Sequence, residues 1–216
     1  MAKQKIKLLS PRGYLSHSAL EIFRQSEEKY IDKYINGDAV DYENDFMELG
    51  KVFSTALETG KKTGDIVIDV MCERIPKYDE REKELTASFI SPYGEITLFG
   101  KLDTFENILW INENRLCHFR EYKTGSVKWT PKKAKESKQI LHYATIIWLL
   151  TGKLPKDIWL DYIPTKRESD GEVRLTGEIF SFEVKLNLSD ILNYMTEVTK
   201  LAVRIDSIYK RELNIK

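Results

Sequence analysis

Residues 84–125 read ELTASFISPYGEITLFGKLDTFENILWINENRLCHFREYKTG, and no other stretch of the chain restricts its fold so strongly. β-Branched and aromatic residues alternate with polar ones, and the alternation breaks at Ser91-Pro92-Tyr93-Gly94 and again at Asn112-Glu113-Asn114. Both breaks have turn chemistry, so the segment predicts three consecutive antiparallel strands. Side chains alternate faces along a strand, which puts Glu121 and Lys123 on one side of the third strand and Tyr122 on the other. With the second turn near Asn112–Asn114, Asp103 on the middle strand falls almost opposite Glu121, their side chains roughly 5 Å apart. Two carboxylates that close repel unless a cation lies between them, and Mg²⁺ is the usual hard, oxygen-seeking choice. The nearby Lys123 ammonium is suited to orienting a water and countering charge on a phosphate under attack. Metal-assisted phosphodiester hydrolysis is the chemistry such a set could serve. Taken alone, Glu-x-Lys on a strand is common as a solvated face.

Helical periods flank the strands. LSHSALEIFRQSEEKYIDKYING predicts one amphipathic helix, with Ser18 and Glu21 at capping-box spacing and Gly37 as its stop. A second helix is expected from Asp45 to Glu58, with Phe46, Leu49, Phe53 and Leu57 in one stripe and Gly60 beyond. DIVIDVMCERI is apolar enough for helix or strand and is read as helix. Beyond the strands, Pro131 to Gly152 predicts a long helix. On it Gln139 and Tyr143 lie one turn apart on one face. Two strands about an Asp170-Gly171 turn follow, then a closing helix from Ser189 to about Lys210.

The expected organisation is a single domain, 1–216, since domains run from about 50 to 250 residues. Its parts are a helical portion (14–75), the meander (85–125), the Gln139 helix (130–151), a strand pair (156–186) and the closing helix (189–211). The order predicts an α/β or α+β fold, a sheet covered by helices. Lys+Arg and Asp+Glu each number 34, so any nucleic-acid surface must be local. One candidate is SVKWTPKKAKESK, where Lys128, Lys132, Lys133, Lys135 and Lys138 surround Trp129: phosphate neutralisation beside a stacking indole. Cys72 and Cys117 lie far apart without Cys-x-x-Cys spacing, which fits a reducing cytoplasm and argues against a zinc ribbon. No signal peptide is evident, and the longest apolar run, around ATIIWLL, stops at Gly152, so no membrane association is expected.

Four motifs in order carry a resemblance. GKVFSTALE, GKLD, EYK followed by TG, and QILHY resemble the motif set of the RecB-like, phage-type exonuclease branch of the PD-(D/E)XK nuclease superfamily. The similarity runs from about residue 14 to 150. It implies a restriction-endonuclease-like core, a mixed four-stranded sheet flanked by helices. It implies that Asp103, Glu121 and the Tyr122 carbonyl hold Mg²⁺ or Mn²⁺, that Lys123 is the catalytic lysine, and that Gln139 and Tyr143 steady the site and the DNA end. The implied activity is a metal-dependent deoxyribonuclease, an exonuclease acting at DNA ends in recombination, repair or phage DNA processing, in the cytoplasm of a bacterial or phage-infected cell.

Two departures qualify the pattern. Where that branch commonly has a metal-binding His, this chain has Ser54, with Glu58 one turn further on as an alternative oxygen ligand. The cysteines of its iron–sulfur members are missing, Ser26 standing near the first such position, so no iron–sulfur cluster is expected. Ser54 also keeps open an alternative: a catalytically impaired, DNA-binding or scaffold protein on the same fold. Homo-oligomer formation and a recombination or single-strand-binding partner protein are left open.

Overall fold

A computed structural model describes residues 7–38, 44–106 and 117–213. The Asn112–Asn114 turn lies outside these. The chain forms β1 (Leu15–Ser16), α1 (His17–Gln25), α2 (Glu27–Tyr30), a π-helical turn (Ile31–Asn36), α3 (Asp45–Thr59), α4 (Ile66–Arg74), β2 (Glu80–Ser91), β3 (Gly94–Glu106) and β4 (His118–Gly125). It continues through α5 (Pro131–Lys135), α6 (Lys138–Thr151), β5 (Asp157–Arg167), β6 (Val173–Leu175), β7 (Phe180–Glu183) and α7 (Leu188–Glu212). This is a mixed α/β architecture with a mixed central sheet flanked by helices.

The meander forms as the alternation predicts: β2 and β3 pair antiparallel about the Ser91–Gly94 turn, and β3 pairs antiparallel with β4. α5 and α6 then cross over, so that β5 lies parallel to β4, while β6 and β7 return antiparallel to β5. Among the described residues seven strands take part, more than the four of the implied core. Helices α1, α6 and α7 cover one face through Leu20, Phe23, Ile146, Tyr194 and Val198 against Ala87, Ile96 and Leu98. On the opposite face α3 and α4 pack Phe53, Leu57, Ile68 and Met71 against Ile163 and Leu175. Each such large side chain, fully buried, contributes about 1.5–3 kcal/mol.

Several boundaries differ from the sequence reading, and serine explains three of them. The first helix is capped by Ser16, not Ser18: the Ser16 hydroxyl accepts from the Ala19 N–H at 3.2 Å. It then breaks at Ser26, extended at φ −161°, whose hydroxyl restarts α2 by accepting from the Lys29 N–H. The helix expected from 131 to 151 divides similarly, Ser137 capping α6 through the Ile140 N–H. A serine oxygen competes with the backbone for these donors, which makes it a cap even inside a helical period. The strand after Asp170-Gly171 is interrupted near Gly177, left-handed at φ 81°, so β6 and β7 pair separate stretches of β5. Helices α3 and α4 lie where expected, α3 closed by Gly60 at φ 67°. Among the described residues no helix is long and apolar enough to cross a membrane.

Candidate active site

The β3–β4 ladder runs Glu106↔His118, Phe105↔Phe119, Thr104↔Arg120 and ends there. One further step in that register sets Asp103 opposite Glu121, where the strands part. The Tyr122 N–H, freed from the ladder, donates instead to Asp103 Oδ2 at 2.7 Å. The opening between the strands is a cavity of about 210 Å³, lined by Asp103, Glu121, Lys123 and Gln139, with Ser54 among the α3 residues on its wall.

Glu121 is only 1 % exposed. Its Oε1 accepts from Lys123 Nζ at 2.8 Å and from the Gln139 amide, while its Oε2 is buried with no partner. Gln139 also donates to the Tyr143 hydroxyl at 2.9 Å, so one chain of contacts runs Lys123–Glu121–Gln139–Tyr143. Two glycines let the walls come this close. A Cβ at Gly100 would lie 2.8 Å from Tyr143 Cδ1, so Tyr143 can lie against β3 only because residue 100 is glycine. A Cβ at Gly50 would lie 2.7 Å from Thr124 Oγ1, which lets α3 approach β4 at the cavity.

Burial dominates the electrostatics. It pushes the Glu121 carboxyl up to about 8, and the Asp103 charge adds to the shift. Asp103 is raised too, by burial, against the pull of Lys123 and of the Tyr122 N–H. Burial would lower Lys123, but the charges of Glu121 and Asp103 outweigh it and hold the ammonium above its ordinary value. A carboxylate this buried, with one oxygen unpartnered, costs about 1–3 kcal/mol relative to a satisfied one. A cation at Oε2 would relieve that cost.

The structure thus brings together Asp103, Glu121, Lys123, Gln139 and Tyr143, with Tyr122 beside them. Ser54 is exposed on α3 and faces the cavity. Glu58, also exposed, lines a narrower pocket with Asp103, Arg81 and Glu82 and does not line the main cavity. Glu82 escaped the sequence reading. It is the one non-glycine residue at positive φ among those described, at 50°, a conformation costing about 1–2 kcal/mol. None of the three histidines lines the cavity. His142 is buried between the Tyr194 hydroxyl (2.8 Å) and the Phe99 carbonyl (2.9 Å), and burial lowers it to about 4. His17 is likewise lowered to about 3 by burial, and His118 pairs with Asp157 at 2.6 Å. Among the described residues, no three His, Cys, Asp or Glu side chains already converge on one point.

The basic segment is less open than its sequence implies. Lys128, Lys132, Lys133 and Lys135 are exposed, but Lys138 is paired with Glu197. Trp129 is half-buried against the core around Ala134, and Lys133 Nζ sits 4.4 Å from its ring centre. The indole is therefore not a bare stacking platform: one face already carries an ammonium, and burying the ring holds it down.

No protein-family model matches the chain, and no curated protein does. Among solved structures, the chain is similar to SSO0001 at 15 % identity, covering 87 % of this chain and 76 % of that one with a TM-score of 0.46. It is also similar to Candida albicans Rai1, solved in complex with pU5-Mn2+, at 13 % identity, covering 90 % of this chain and 52 % of that one with a TM-score of 0.33. Likenesses this loose carry no functional argument, and the side chains around the cavity are what a reading of function rests on.

Proposed function

We propose that this chain is a divalent-metal-dependent deoxyribonuclease of the PD-(D/E)XK superfamily, RecB-like branch, acting as an exonuclease at DNA ends. The observation that carries the reading is Glu121: a buried carboxylate with one oxygen fixed by Lys123 and Gln139 and the other unpartnered, beside the second carboxylate of Asp103. That donor set fits Mg²⁺ or Mn²⁺, which take carboxylate, carbonyl and water oxygens. Asp103, Glu121 and the Tyr122 carbonyl would hold the ion. When bound, it supplies Lewis-acid stabilisation of the charge that builds on phosphate oxygens.

The chain's own residues divide the remaining work. Gln139, itself held by Tyr143, fixes Glu121 in one rotamer. Lys123 lies 28 % exposed at the cavity. Held above its ordinary value, its ammonium acts as a donor, orienting a water and countering phosphate charge. The exposed lysines 128, 132, 133 and 135 supply phosphate contacts on the approach to the site.

The test is incubation of the full chain with end-labelled linear and covalently closed DNA, with and without Mg²⁺ or Mn²⁺. Linear DNA should be digested only with metal, and the closed circle spared. Asp103→Ala should abolish digestion and Lys123→Ala reduce it about 100- to 1,000-fold, the scale for loss of one charge-stabilising donor. Retained digestion in the Asp103 variant rejects the assignment, and binding without turnover in the parent chain favours the DNA-binding or scaffold alternative.

A further inference from the structure

Asp103 has acidic neighbours on both flanks. The β2–β3 ladder pairs Arg81↔Thr104 and Lys83↔Leu102 but skips the pair between them, which in that register is Glu82 with Asp103. With Glu121 on the other side, the register sets three carboxylates in a row across β2, β3 and β4. The ladders on both sides of Asp103 lapse at that row.

A row of acids is ordinarily a solvated face. Here a second observation points to a ligand: the Glu121 side chain, almost wholly buried and lining the cavity, keeps Oε2 without a partner. Glu82 itself is held against its backbone preference, since glycine would adopt its φ of 50° without strain. Its side chain, 20 % exposed, is tied to Lys101 Nζ, and it lines the narrow pocket with Asp103 and Ser54.

We propose that Glu82 is a third carboxylate of the cation site, restrained by Lys101 and recruited when a divalent ion binds between Asp103 and Glu121. The inference rests on the metal-dependent reading of that site. Rotation about the Glu82 side-chain bonds exchanges the Lys101 ammonium for the ion, or for a water on it, with no change of strand register.

Mn²⁺ titration of the full chain, followed by the free-ion EPR signal, tests this without reference to turnover. Glu82→Gln and Glu82→Gly should each weaken Mn²⁺ binding about tenfold, the lower end of what outer partners of a metal contribute. Glu82→Gly should also melt no lower than the parent, because glycine relieves the strained backbone, which separates lost affinity from lost folding. Lys101→Met should tighten binding about threefold by freeing Glu82, within the strength of a half-exposed ion pair. Parent-like affinity in Glu82→Gln, with Mn²⁺ lost from Asp103→Asn, overturns the role of Glu82 and leaves a two-carboxylate site. Unchanged or weaker affinity in Lys101→Met overturns the restraint. Failure of the parent chain to bind Mn²⁺ overturns the metal-dependent reading itself.

Discussion

Arg120 and Glu121 are neighbours on β4, and each belongs to a buried ion pair on its own face of the strand. Arg120 meets Asp161 through two parallel bonds, Nε to Oδ2 at 2.7 Å and Nη2 to Oδ1 at 2.9 Å. Ser181 donates to the same carboxylate, and the Trp159 ring lies 5.1 Å from the guanidinium. Asp161 is 0 % exposed and both its oxygens are occupied. Glu121 is almost as buried, yet its partner Lys123 makes one contact, its second oxygen has none, and another carboxylate lies close by. A fork of guanidinium donors matches a carboxylate on both oxygens, whereas an ammonium is a point charge. The first pair is complete within the fold. The second, with Asp103 beside it, sets two acids against one ammonium.

Removing the acid should therefore have opposite consequences on the two faces. Asp161→Ala leaves Arg120 buried and uncompensated, and a loss of about 3–5 kcal/mol is expected in urea unfolding. Glu121→Gln keeps the shape and replaces an acid whose charged form the fold does not satisfy, so stability should stay within about 1 kcal/mol of the parent while Mg²⁺-dependent digestion is lost. Equal destabilisation by both substitutions would make the two pairs alike and remove the physical ground for a cation at Glu121.

A smaller effect should appear in the pH dependence of the metal-free protein. Glu121 rises from the ordinary 4.5 to about 8 on folding, so between those values the folded state binds a proton that the unfolded state does not. The Glu121 contribution to stability must then fall as pH rises through this window and level off above about 8, while His17 and His142, lowered to about 3 and about 4, add the opposite slope up to about 6.5. Asp103, also raised, adds a slope of the same sign. Lys123, raised from 10.5, keeps its contribution throughout the window and adds no slope. Urea midpoints between pH 7 and 8.5 in chelator, above the range in which buried His17 and His142 contribute an opposite slope, should decline for the parent and flatten in Glu121→Gln. A rising midpoint in the parent would mean that Glu121 is satisfied as an anion, as Asp161 is.

The sequence made the face bearing Glu121 legible because strand alternation and turn position suffice to place Asp103, Glu121 and Lys123, and one helical turn suffices for Gln139 and Tyr143. Asp161 could not be paired with Arg120 in advance: the contact needs the parallel β4–β5 register, set by a crossover whose length does not encode it. The helix breaks at Ser26 and Ser137 were hidden because a serine inside an apolar period reads as a tolerated polar residue until its hydroxyl is seen accepting a backbone N–H. At Trp129, composition shows an aromatic among lysines but not which side of it is buried. Glu82 was within reach. The Ser91–Gly94 turn, once recognised, fixes the register that sets it opposite Asp103, but a charged residue on a strand flank carries no mark of a left-handed backbone.

Ser54 offers the finest distinction, because it decides whether the unsatisfied pair draws a ligand from α3 as well as from the sheet. Its hydroxyl is exposed at the cavity wall and is a weak metal ligand, so Ser54→Ala should alter Mn²⁺ affinity by no more than about twofold, the usual range for an exposed substitution. Ser54→His puts a nitrogen donor at the same wall, and imidazole favours Mn²⁺ over Mg²⁺. That variant should shift the ratio of the two affinities toward Mn²⁺ while leaving the Arg120–Asp161 face and the urea midpoint unchanged. A tenfold loss in Ser54→Ala would mean that the serine oxygen reaches the ion, and the boundary of the site would then extend from the strand edges onto the helix.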